Sequence, residues 1–116
     1  MEAKQFILKT EAVPVLIDAE EMELKEMNAA QRDRYLDSLS NRMRLDTAGR
    51  PAGVKKFDGL QSGLIALCLR RKDGSLVPEQ TIQTWPASVV SGLFEMAQEI
   101  NHLNNVVNGE VEPKNG

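Results

Sequence analysis

Few residues in this 116-residue chain could carry covalent chemistry: Cys68 is its one cysteine and His102 its one histidine. A thiol and an imidazole can serve as nucleophile and base. Cys68, however, shares the apolar side of a helical pattern with Leu60, Leu64, Ile65 and Leu67, where a thiol is ordinarily an inert packing group. His102 falls near the end of the last helical pattern, where a cationic imidazole would complement the helix dipole. A lone cysteine and a lone histidine also leave no intramolecular disulfide, no multi-cysteine metal site and no two-histidine metal motif. The acids Asp18, Glu20, Glu21 and Glu23 lack the glycine and the terminal bidentate Glu of a calcium loop, and read as a solvated acidic turn. Glycine-rich phosphate loops, HExxH and GxSxG do not occur. No catalytic, cofactor-binding or metal residue is assigned, and the chain is expected not to be an enzyme.

What remains is non-covalent contact. The candidate contact residues are Trp85, Phe94, Met96, Arg70 and Arg71. Trp85 and Phe94 fit either a core or an exposed anchor at the mouth of the last helix, since aromatic residues are enriched at binding hot spots. Met22, Met27, Met43 and Met96 fall on apolar faces, where flexible thioethers fill gaps or line an adaptable surface. The net charge of −3 conceals a segregation: −4 over residues 1–31, +6 over 32–72 and −5 over 73–116. Acidic ends around a basic middle can attract each other within one fold or between copies. Nucleic-acid binding is disfavoured, because the basic stretch has only Tyr35 and Phe57 as aromatics and the overall charge is negative.

Composition fits an ordinary globular protein, with 41% hydrophobic and 27% charged residues. Aromatics make up only 4%, so the core must be mostly aliphatic. No apolar run approaches the roughly 20 residues of a membrane span. The first 20 residues hold four acids and no basic start, so no signal peptide is expected. A single cysteine favours a cytosolic compartment.

The elements that must position these residues follow from periodicity. Val13-Pro14-Val15-Leu16-Ile17 suits an edge strand, because Pro14 has no N–H to donate. Residues 21–27 alternate, with Met22, Leu24 and Glu26 on one face, and two or three short strands are expected before residue 28, counting a possible one at 4–9. Asn28 with Gln31 forms a capping box that opens a helix over 28–43, carrying Leu36, Leu39 and Met43 inward. Asp46–Gly53, with two glycines and a proline, reads as the most mobile internal loop. A second helix is expected over 58–72, with Arg70-Arg71-Lys72 at its C-terminal dipole and Gly74 as a left-handed cap. Pro78-Glu79-Gln80 opens one turn, and a last helix spans 86–104, with Val89, Leu93, Met96 and Ile100 as its main stripe and Val90, Phe94, Ala97 and Leu103 widening it. The fold class is α+β: one mostly helical domain over 1–104, with a small N-terminal sheet or hairpin and three main helices, then a flexible tail over 105–116. Leu64, Leu67, Leu93 and Ile100 are expected to be buried.

Whole segments also carry a resemblance. Met22 through Tyr35, the run Leu64-Ile65-Ala66-Leu67-Cys68-Leu69, the Lys72-Asp73-Gly74-Ser75 turn, and Trp85-Pro86-Ala87 through Glu99-Ile100-Asn101-His102-Leu103 resemble the tail assembly chaperones of long-tailed bacteriophages. The resemblance covers roughly residues 20–104, and a final helix ending in Glu-Ile-Asn-x-Leu is its most characteristic piece. It implies a small, mainly helical oligomer in the host bacterial cytoplasm, absent from the mature virion. Such a protein binds the tape measure protein, keeps it soluble, and helps recruit tail tube protein through a longer frameshifted form. Pro113-Lys114-Asn115 can be encoded CCA AAA AAC, which contains a slippery A AAA AAC. The alternatives are a small adaptor or antitoxin-like module that binds one folded protein and, behind it, a nucleic-acid-binding regulator.

Overall fold

A computed structural model describes residues 2–103 of the chain; the expected tail at 105–116 and its slip site lie outside the described residues. In chain order the elements are β1 (Ala12–Ile17), β2 (Glu20–Lys25), α1 (Ala29–Arg42), β3 (Met43–Leu45), β4 (Pro51–Val54), α2 (Leu60–Cys68), β5 (Leu69–Arg71), α3 (Glu79–Ile82) and α4 (Ala87–Ile100). Helices and small sheets mix, as an α+β class requires.

Asp18 and Ala19, with φ of 50° and 68°, form the two-residue loop that joins β1 to β2. Positive φ at both central residues is the type I′ geometry, whose twist matches that of the strands it joins. Glu26 N–H donates to the Glu11 carbonyl at 2.8 Å, which fixes the ladder's phase. Val13, Val15 and Ile17 therefore turn their main-chain groups toward β2, while Ala12, Pro14 and Leu16 turn theirs outward. Pro14 places its missing N–H on the free edge, where no bond is lost. Sheet order is β1-β2-β5, so β1 is an edge strand as its proline predicts.

Alternation puts Met22 and Leu24 on the inner face of β2, beside Leu69 of β5. Helix α2 packs on α4, and both touch β2 beneath that face. Leu24, Leu64, Ile65, Cys68, Leu69, Ile82 and Leu103 are fully buried among them. Helix α1 begins with the predicted box: Gln31 N–H donates to Asn28 Oδ1 at 2.8 Å, and Asn28 N–H to Gln31 Oε1 at 2.9 Å. Its Tyr35 is buried at 5% exposure, and among the described residues the hydroxyl has no hydrogen-bond partner. Burial pushes the Tyr35 phenol up to about 12, against an opposing pull from Arg42.

The C-terminus of α4 explains the Glu-Ile-Asn-x-Leu piece. His102 takes a left-handed φ of 58°, and its N–H donates to the Glu99 carbonyl at 3.1 Å. Leu103 N–H donates to the Gln98 carbonyl at 2.8 Å. These two bonds make a Schellman stop. It buries Ile100, Asn101 and Leu103 and leaves Glu99 and His102 outside. The buried Asn101 side chain accepts from Met27 N–H at 2.8 Å and donates to the Ala97 carbonyl at 2.8 Å and to Cys68 Sγ at 3.4 Å. One amide thus joins the exit of β2 to the end of α4.

Several expectations need correction. The second helix does not run over 58–72: it ends at Cys68, and Leu69–Arg71 form β5 against β2. Arg71 and Lys72 therefore answer acids across the sheet, not a helix dipole, while Arg70 turns its guanidinium to the carbonyls of Leu67 and Leu69. Glu23 lies opposite Arg70, Arg71 Nη1 meets Glu20 Oε2 at 2.9 Å, and Lys72 Nζ meets Glu21 Oε1 at 3.3 Å. Gly74, at φ 89°, serves a turn after a strand: Gly74 N–H donates to the Arg71 carbonyl, and Arg71 N–H to the Ser75 carbonyl. The sheet accordingly draws a strand from beyond residue 28, and residues 4–9 form none. Part of the expected loop at 46–53 is strand β4, paired with β3 in a second, two-stranded sheet. The turn expected after Pro78 is present as α3, with Pro78 as its N-cap. Helix α4 starts after its N-cap Pro86 and stops at Ile100, short of 104. Leu64, Leu93 and Ile100 are buried, but Leu67 is only half-buried. In the α4 stripe Val89 is exposed and Met96 half-buried, because the inward face is Val90, Leu93, Phe94, Ala97 and Ile100.

Candidate functional site

The five candidate contact residues are placed in different surroundings. Phe94 is 6% exposed and packs in the core, which takes it out of any surface set. Met96 is half-buried against the same core. Arg70 is half-buried, its Nη1 donating to the carbonyls of Leu67 and Leu69 at 3.1 and 3.3 Å. Arg71 is engaged with Glu20. Both arginines are therefore anchored along β5, Arg70 on its own segment and Arg71 on the acid of β2. Arg71 borders an open groove on the sheet, and Trp85 stands at an opening beside α2.

Trp85 follows α3, where its N–H donates to the Ile82 carbonyl at 3.0 Å. Pro86 then forces the chain out of the short helix and caps α4. The half-buried indole faces the N-terminal end of α2 across an open groove of about 690 Å³, shared with Phe57, Gln61, Ser62, Gln83 and Val90. Phe57 is 70% exposed. Sequence reasoning noted it only as an aromatic in the basic stretch. Its place just ahead of the Asp58-Gly59 helix start was the available signal, but Asp58 read as the start of the helix.

The rim residues Ser62 and Gln83 are tied to Glu79, which lines the neighbouring groove between α1 and α2. Ser62 Oγ donates to Glu79 Oε2 at 3.1 Å, and Gln83 Nε2 donates to Ser62 Oγ at 3.2 Å. Arg42 Nη1 donates to the Asp58 carbonyl. Gly59 caps α2 at φ 78°, and a Cβ there would stand 3.2 Å from Glu79 Oε2 and 3.4 Å from Arg42 Nη2. The backbone angle favours glycine, and a Cβ would crowd both side-chain ends. The Glu79 carboxylate thereby lies beside the first turn of α2, where negative charge is favoured. An aromatic pair with a fixed hydrogen-bonding rim can bind an apolar side chain row and orient it.

Burial raises the Cys68 thiol above its usual range, opposed by the Asn101 amide, and holds it protonated at neutral pH. Its polar neighbour is Asn101, and His102 stands exposed beyond the helix stop. Among the described residues no three His, Cys, Asp or Glu side chains are grouped to hold a metal ion. No helix among them is long and apolar enough to cross a membrane. Searches against family models, curated proteins and solved structures return no match.

Proposed function

We propose that this protein is a non-enzymatic tail assembly chaperone of a long-tailed bacteriophage. It binds apolar helical segments of the tape measure protein in the host bacterial cytoplasm and keeps them soluble. A longer frameshifted form, sharing residues up to about Lys114 or Asn115, recruits tail tube protein. The short form leaves before the virion is complete.

The observation that carries this reading is the Trp85–Phe57 groove at the meeting of α2, α3 and α4. It is open and lined by two aromatics and Val90, with amide and hydroxyl groups at its rim. An amphipathic helix can lay one apolar row into such a groove. The segments quoted from residues 20–104 supply the identity of the client.

Co-expression tests the proposal. Soluble yield of tape measure fragments should rise several-fold with the wild-type chain and fall back with Trp85→Ala or Phe57→Ala, both variants remaining folded by circular dichroism. Equal rescue by wild type and both variants would remove the groove, and no rescue by wild type would remove the chaperone reading. Capture of one folded host protein, with no effect on the fragments, would favour the adaptor or antitoxin-like alternative.

A further inference from the structure

The chain ahead of β1 carries a feature that the client groove does not use. Phe6, Ile7 and Leu8 are 76%, 76% and 102% exposed. Three consecutive apolar residues in water are unfavourable unless something covers them. Lysines bracket them at positions 4 and 9, with Lys4 Nζ 5.4 Å from the centroid of the Phe6 ring. Six residues, extended, span about 20 Å, the length of β1 itself.

The outer face of the three-stranded sheet is the complementary surface. β2 and β5 bury their inner side against the helices, and among the described residues no element packs on the other side. There Leu16 is 70% exposed and Leu76, bridged to Arg70, is 56% exposed. A groove of about 630 Å³ crosses this region, bordered by Pro14, Leu16, Glu21, Glu23, Arg71 and Lys72. Arg71 and Lys72 are occupied by Glu20 and Glu21. Glu23 makes no ion pair within 4 Å among the described residues, so its carboxylate is available to an incoming lysine. Main-chain addition to the β1 edge is the weaker route, because Pro14 offers no N–H at the middle of that edge. The face accepts side chains in preference to a fourth strand.

We infer that the occupant is a second copy of this chain: residues 4–9 of each protomer lie across the outer sheet face of the other. Phe6 and Leu8, on one side of the extended arm with Lys4, cover Leu16 and Leu76, and Lys4 pairs with Glu23. Each chain carries both halves of the contact, so exchange of two arms closes a symmetric dimer with two identical arm contacts. The arm joins β1 at the end opposite the Asp18-Ala19 turn, so it leaves its own sheet and is free to reach another.

Sedimentation velocity over a hundredfold range of concentration tests the exchange. The wild type should shift from monomer to dimer. Phe6→Ser, Ile7→Ser and Leu8→Ser together should raise the dissociation constant at least tenfold, with thermal unfolding unchanged, since these side chains support no core. Leu16→Lys, on the acceptor face, should do the same. An equimolar mixture of the arm variant and the face variant keeps one intact contact per pair and should form a heterodimer that neither forms alone. Glu23→Lys should remove the salt dependence of association. A wild type that stays monomeric throughout overturns the proposal, as does an arm variant that dimerises like wild type. Failure of the mixture to associate also overturns it. The client assay reads Trp85 and Phe57, so either proposal can fail without the other.

Discussion

Replacing Asn101 with Ala probes the joint that holds the fold closed. The substitution removes the acceptor of Met27 N–H and the donor to the Ala97 carbonyl and Cys68 Sγ. The Ala97 carbonyl keeps a partner, since Asn101 N–H donates to it at 3.2 Å. Met27 N–H has no such second acceptor: Asn101 is 5% exposed and Met27 7%, so water does not reach the gap. An unpaired buried donor costs about 1–3 kcal/mol, and the small void adds about 1 kcal/mol. The sum of about 2–4 kcal/mol corresponds to a fall in Tm of about 8–16 °C, at about 4 °C per kcal/mol for a domain of this length. Differential scanning calorimetry of the two proteins at equal concentration measures it. Asn101→Asp separates the bonds: it keeps the acceptor but places a carboxylate beside the Ala97 carbonyl and the Cys68 sulfur. Burial should raise that carboxyl's pKa, so the variant's deficit should shrink as pH falls toward 5 and grow as pH rises. An Asn101→Ala protein within about 0.5 kcal/mol of wild type, a typical surface effect, would refute the assignment of this amide as the joint.

Tyr35→Phe should be neutral at pH 7 or stabilise by up to about 1 kcal/mol in urea titrations, because it removes a buried hydroxyl with no partner among the described residues. Burial pushes the folded phenol up to about 12, from the 10.0 of an exposed tyrosine. Wild-type stability should therefore fall, relative to Tyr35→Phe, as pH climbs from 10 through 12, by about 2 kcal/mol at the top. Ala19→Gly should raise stability by about 0.5–1 kcal/mol in the same assay, since Ala19 sits at φ 68°. Gly59→Ala should cost about 1–2 kcal/mol through its φ of 78° and the crowding at Glu79 Oε2. Gly92→Ala, in the exposed interior of α4 with nothing within 4 Å, should gain about 0.5–1 kcal/mol.

What the sequence made legible was what neighbours in the chain decide. The Asn28–Gln31 box is a local exchange of two bonds, and it stands where residue types and spacing put it. Pro14 marks an edge strand because a missing N–H cannot be repaired by context. The short helix after Pro78 and the start of α4 after Pro86 follow from the same residue. What stayed hidden depends on distant partners. Leu69-Arg70-Arg71 has the composition of a helix end, and becomes a strand because β2 presents Glu20, Glu21 and Glu23 and an open ladder. The type I′ turn at Asp18-Ala19 has no glycine to announce it. In α4 the expected residues Leu93 and Ile100 are buried with Phe94 and Ala97, while Val89 and Met96 fall at the margin of the face. At the candidate site Trp85 was legible as an aromatic at a helix mouth. Phe57 was not, because its side of the groove depends on where α2 begins, and Gly59 moves that start past Asp58.

The Asn101 amide also orders events in time. It spans from residue 101 back to residue 27, and β5 reaches back from residues 69–71 to β2. Contacts so far apart along the chain close large loops before they return any stabilisation, and such topologies fold more slowly than helical bundles with local contacts. A growing chain on the ribosome can close the β1–β2 hairpin and the first helix early. Met22 and Leu24 then wait for α2 and α4 to emerge. The inner sheet face is thus the nascent chain's sticky surface, and the last turn of α4 is the latch that ends its exposure.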